Sequence, residues 1–167
     1  MLVAYINPEP LTLAEVKLHA RIDATDDDTA IETGIIPAAR AMAEAKTGCA
    51  IRTARYTDTI TLPGSLAVGG VIAIESVKVD GVTVTYTSAE VARRTVITSV
   101  ENETKTAVVT YTAGIDIAKH PGARAWMLLA CAWLYADREM VRDGNKTEMP
   151  RYITDTLLMS IDVPGAI

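Results

Sequence analysis

The hydrophobic period of this chain changes twice, and that change limits its fold more than any single motif. Up to Gly48 apolar residues recur at helical spacing: Leu13, Val16 and Ala20, then Ile31, Ile35, Ala39, Met42 and Ala43. From Arg55 to Leu62 the spacing becomes alternate and the residues β-branched, which reads as strand. After Gly114 the chain returns to helix at Pro121. Helices, then strands, then helices indicate an α+β domain. The expected architecture is mainly a helical bundle, with helices at about 12–22, 26–47, 121–139 and 150–161. An antiparallel β region at about 54–113 is inserted in it. All 167 residues are expected in a single domain, a length that suits one core.

Local signals sharpen the boundaries. Asn7-Pro8-Glu9-Pro10 forms an extended lead-in, because each proline fixes its own φ and biases its predecessor away from helix. Thr12-Leu13-Ala14-Glu15 is a capping box. Asp26-Asp27-Asp28 puts carboxylates at the positive end of the next helix, and Gly48 stops it. Gly34 and Pro37 interrupt that helix, and Pro37 predicts a kink. Asp80-Gly81, between Val71–Val79 and Val82–Thr87, is a strong two-residue hairpin signal. Arg94–Val100 and Thr106–Thr112 are further strands, with their turn at Asn102. Pro121 opens the third helix, Gly144-Asn145 breaks the chain, and Pro150 starts the last helix. Residues 161–167 read as a flexible C-terminal tail.

The chemistry of an enzyme is hard to assemble from these residues. His19 and His120 are the only histidines and sit where surface and turn residues belong. Cys131 lies inside an apolar helix, and Cys49 follows a helix end, so no helix N-terminus activates it. The Asp26-Asp27-Asp28 run fails as a calcium hand, since the central glycine and closing glutamate are misplaced. No catalytic residue, cofactor or metal ligand is therefore assigned. A small metal-dependent hydrolase or DNA-processing accessory enzyme is the alternative. It requires Asp26, Asp27, Asp28 or His19 to converge on a metal.

Charge and hydropathy narrow the partners. A net charge of -5 argues against a general grip on nucleic acid, though not against a surface that DNA slides past. No apolar run reaches the roughly 20 residues of a membrane span, and the N-terminus lacks the pattern of a signal peptide. A soluble protein of a reducing cytoplasm is expected. Residues 125–136, by contrast, are apolar on nearly every helical face, more than a small domain covers alone. Trp126 and Trp133 share one face of that helix, as a core stripe or as interface anchors. The interface candidates are Trp126, Trp133, Tyr135, the Asp80-Gly81 hairpin, and Val163 and Ile167 in the tail.

The order of these pieces is similar to a known family. Leu11-Thr12-Leu13-Ala14-Glu15-Val16-Lys17, then Arg21-Ile22-Asp23, an acidic helix start and a stop at Lys46-Thr47-Gly48 resemble the opening of head–tail connector (head-completion, or adaptor) proteins of tailed bacteriophages. Val108-Val109-Thr110-Tyr111-Thr112-Ala113-Gly114, then Pro121 and an apolar helix to Arg138-Glu139, resemble that family's second landmark. Residues 62–106 and the interrupted second helix depart from the pattern. The resemblance implies a structural virion protein that is not an enzyme. It implies a homo-oligomeric ring below the portal protein, twelve-fold to match it. Such a ring extends the DNA channel without sequence-specific binding and docks a neck or tail-completion protein. It also implies a place in the virion neck, with assembly in the host cytoplasm. The tail from Ile161 has no reason to fold by itself and is expected to dock on the portal, so truncation at Ser160 should leave the fold intact but weaken portal attachment.

Overall fold

The computed structural model describes residues 1–99, 104–136 and 151–164, with backbone alone for 151–153. The turn expected at Asn102, the charged stop at 137–139, the break at Gly144-Asn145 and Ile167 lie outside them. The chain forms two compact units. One gathers residues 1–8, 46–115 and 162–167, and the other 9–45 and 116–161.

The first unit is built of strands. β1 (Leu2–Tyr5), β2 (Ala54–Thr61), β3 (Gly64–Ser65), β4 (Val71–Val79), β5 (Val82–Thr83), β6 (Tyr86–Val91), β7 (Arg94–Ser99) and β8 (Thr106–Ala113) follow in chain order. They make a five-stranded sheet, β1-β2-β8-β4-β5, and a three-stranded sheet, β3-β7-β6. Every pairing within these sheets is antiparallel. Alternation decides what is inside: Ala107, Val109, Tyr111 and Ala113 of β8 are buried, as are Ala54 and Tyr56 of β2. Tyr56 and Tyr111 oppose each other in register and stack at 5.6 Å. Leu62, Leu66, Val77 and Ile97 complete this core.

The expected helical bundle with a β insertion is therefore wrong: the fold is α+β with two antiparallel sheets and is not mainly helical. The physical reason is that the β region buries a core of its own. It also recruits β1, which pairs with β2 some fifty residues away and for which no strand was expected. Two of the helices are also short, since α1 and α5 each span eight residues.

Two tight turns have positive φ at both central residues, the geometry that matches strand twist. Asp80 and Gly81 (φ 51° and 81°) make the expected one, joining Val79 to Val82. That hairpin is only two pairs long, because the chain then leaves for the second sheet. Ala92 and Arg93 (φ 49° and 63°) make the other, and nothing in their residue types announces it.

The second unit is helical. It holds α1 (Leu13–Ala20), α2 (Asp28–Ala30), a π turn (Ile31–Ile35) and most of α3 (Ile36–Thr47). A 3₁₀ turn (Ile117–Lys119), α4 (Pro121–Ala136) and α5 (Arg151–Leu158) complete it. The π turn is the form taken by the disturbance expected at Pro37. That proline lacks an N–H and crowds the carbonyl four residues back, and the Ile36 N–H reaches instead to Ile31 O. Ile31, Ile36, Ala39 and Ala43 bury one face of this run, and Ala123, Met127 and Cys131 bury one face of α4. Arg40 is buried too, held by Glu9 at 2.8 Å and Glu44 at 2.5 Å.

The capping box forms as its spacing requires. Glu15 N–H donates to Thr12 Oγ1 (3.3 Å), and Thr12 N–H to Glu15 Oε2 (2.8 Å). Glu15 also pairs with Arg124 of α4. The Thr12 amide and hydroxyl, then Arg124, lower the Glu15 carboxyl from its ordinary 4.5 to about 2. A lowered carboxylate stabilises the fold in full above its unfolded pKa, and that contribution is lost as pH falls from about 4.5 towards 2. Glu15 is partly exposed, so solvent screening limits the effect to about 1 kcal/mol. The gap in urea midpoint between wild type and Glu15→Gln is expected to be constant near neutrality and to close across that acid window.

Candidate interaction surface

The groups that enzyme chemistry needs are dispersed or engaged in structure. Burial pushes the Cys131 thiol up to about 11, far from a reactive thiolate. Cys49 is buried as well. His19 is exposed on α1, and the half-buried His120 faces Ser160 Oγ at 3.4 Å. Asp28 pairs with Lys17 at 2.5 Å, and Asp27 accepts a hydrogen bond from Tyr135 at 2.9 Å. Among the described residues no three of His, Cys, Asp and Glu are grouped to hold a metal ion.

One acid is buried without belonging to any motif. Asp58 lies on the core side of β2 and accepts from the Met1 amine (2.8 Å), the Ala67 amide (2.9 Å) and the Tyr111 hydroxyl (2.7 Å). Burial raises its pKa, but the three donors together outweigh that and hold it below the usual carboxylate value. Burial, then the bond to Asp58, push the Tyr111 phenol well up. This arrangement fastens strands and engages the Asp58 carboxylate in structure.

The residues proposed from sequence as contacts are scattered. Trp133 is 56% exposed on α4, and Trp126, one turn pair earlier, is half-buried. Tyr135 is half-buried with its hydroxyl on Asp27. Asp80 and Gly81 form an exposed turn. Val163 is not on a free tail. It is 3% exposed, and its N–H donates to Thr47 O at 2.9 Å. Arg93 and Arg94 donate to the carbonyls of Asp162 and Pro164 on either side of it. The tail expected from residue 161 is thus tied down at least to Pro164.

Sequence reasoning missed a larger apolar surface. β1 closes one edge of the five-stranded sheet, yet all four of its residues are exposed, as is Ile6 after it. Its signal was present: Leu2-Val3-Ala4-Tyr5-Ile6 is wholly apolar, and the prolines that follow drew attention away from it. A second surface lies along the outer side of β4. β5 pairs only with Lys78 and Val79, and Val71–Ile74 borders a groove of about 280 Å³ instead. Across that groove stands β6, the edge of the smaller sheet. The lining mixes Ile72, Ile74 and Tyr86 with the polar Ser88, Glu90 and Thr95, so this groove is more polar than β1.

No curated protein matches the sequence significantly. Two solved structures share the fold over essentially the full length. One, in the neck of an empty gene transfer agent particle computed with C6 symmetry, matches with TM-score 0.69 at 20% identity, covering 98% of this chain and 95% of that one. Another, in the virion of a native gene transfer agent particle, matches with TM-score 0.72 at 18% identity, covering 100% of both. The family model of the phage gp6-like head-tail connector protein matches residues 10–106, more than half of the chain. The chain belongs to the phage gp6-like head-tail connector family, and it is a structural protein, not an enzyme.

Proposed function

We propose that this connector subunit assembles into a ring in a virion neck, below the portal, and there extends the DNA channel and docks a neck or tail-completion protein. Full-length likeness to a chain in a particle neck with C6 symmetry is the observation that supports this reading most. Six and twelve copies both suit that symmetry, and twelve suits a twelve-fold portal. The acidic balance of -5 suits a channel wall from which DNA slides, since few cations are there to hold phosphates. Mass photometry and negative-stain microscopy of the purified chain, alone and with portal protein, test the reading. Closed rings are the expected result. Particles that stay monomeric in both conditions at high concentration would overturn it.

Trp133 offers a sharper measurement. Its ring is more than half exposed, so Trp133→Ala is expected to cost the isolated fold under about 1 kcal/mol, against the roughly 3–5 kcal/mol of a buried tryptophan. Ring formation should weaken by about tenfold or more if Trp133 anchors a neighbour. Urea denaturation of the monomer and sedimentation of the assembly separate the two. Tyr135 and the Asp80-Gly81 turn are proposed as lesser contacts on the same grounds of exposure or half-exposure. Val163 is not proposed as a portal contact, because it is already used within the chain.

A further inference from the structure

We propose that neighbouring copies join edge to edge through their sheets, with β1 of one copy lying against the open side of β4 in the next. This rests on the ring reading and names the surfaces that would close it. A ring needs two different patches on each subunit that fit each other, because a patch that fits itself ends in a dimer. The sheet unit carries such a pair. At one end of the order β1-β2-β8-β4-β5 stands β1, an apolar strand with no described strand beyond it and with Val3 and Ile6 more than half exposed. Towards the other end, β4 presents Val71–Ile74 to the groove shared with β6, and β5 pairs only with Lys78 and Val79.

The two patches share an open strand edge. Both offer backbone N–H and C=O groups along a strand edge, which pair readily with another strand. β1 exposes the apolar Leu2, Val3, Tyr5 and Ile6, while the groove combines exposed Ile72 and Ala73 with the polar Ser88, Glu90 and Thr95. Residues 1–6 carry no charged side chain, so the contact avoids the repulsion that copies of charge -5 otherwise feel. Natural monomers blunt such edges with lysines, prolines or bulged twists. Here a bulge lies between Leu2 and Ala4, Arg52 lies over the Tyr5 ring at 4.1 Å, and Leu2 and Val3 stay exposed. A second copy is the occupant that adds a strand to the open β4 edge and hides β1 in one step.

The test is thiol cross-linking of the full chain carrying Val3→Cys and Ile72→Cys, both exposed positions, with a short bis-maleimide; native Cys49 and Cys131 are buried. A ladder of covalent multimers ending at the ring, with little product from either single variant, is expected. Wild-type rings accompanied by no ladder would overturn the edge-to-edge contact while leaving the ring intact. Covalent dimers from Val3→Cys alone would also overturn it, because β1 would then be pairing with itself. Absence of rings from the wild type, alone and with portal, would remove the ring reading and this contact with it. Val3→Lys should weaken assembly by about tenfold or more with unchanged circular dichroism, since a lysine would have to lose its hydration in the joint. Full assembly by that variant counts against the proposal.

Discussion

Ending the chain at Ser160 is expected to cost about 4–6 kcal/mol, enough to bring a domain of ordinary stability close to unfolding. The expectation from sequence was the reverse, that residues after Ser160 form a dispensable tail. Ile161 and Val163 are each 3% exposed, however, and truncation removes both. It also removes the bond from the Val163 N–H to Thr47 O, and the carbonyls that Arg93 and Arg94 grip. Val163 packs so closely on Gly69 that no Cβ fits there. Urea denaturation followed by circular dichroism measures the loss. Val163→Ala should account for about 2 kcal/mol of it. Met159→Ala, at an exposed position two residues before the packed pair, should cost under about 0.5 kcal/mol. A truncated chain as stable as the full one would mean that these contacts contribute nothing.

Asp58→Ala is expected to destabilise by about 3 kcal/mol, because it strands buried donors instead of removing a whole interaction. The Tyr111 hydroxyl and Ala67 amide lose their acceptor, and the Met1 amine loses its counter-charge. Asp58→Asn keeps an acceptor and should cost less, about 1–2 kcal/mol. A double-mutant cycle with Tyr111→Phe isolates the shared bond, with a coupling of about 1 kcal/mol expected. The sign with pH follows from a lowered carboxylate. Asp58 contributes fully above the ordinary carboxylate pKa, and its contribution fades as pH falls through the lower folded value. Purely additive single effects would show that Asp58 and Tyr111 act apart.

Family membership was legible because it lies in local patterns. The capping box at Thr12–Glu15, the stop at Gly48, the Asp80-Gly81 turn and the β8 segment ending at Gly114 all form where their residue types place them. Each is decided within a few residues, by a side chain reaching a nearby amide or by a glycine accepting positive φ. The turn at Ala92-Arg93 shows the limit of that logic. Those residues adopt positive φ because the β6–β7 pairing on both sides of them demands it.

The residue pattern alone determined the element types, most of their boundaries and the class of protein, since periodicity and capping act over a turn or two of chain. Only the tertiary structure decided which layer dominates, that β1 joins the sheet, that Val163 is inside and that Asp58 is a buried acceptor. Each of these depends on partners that are far apart in sequence: β1 with β2, Val163 with Thr47, Asp58 with Tyr111. A local period records which residues can be buried, but not which distant segment arrives to bury them.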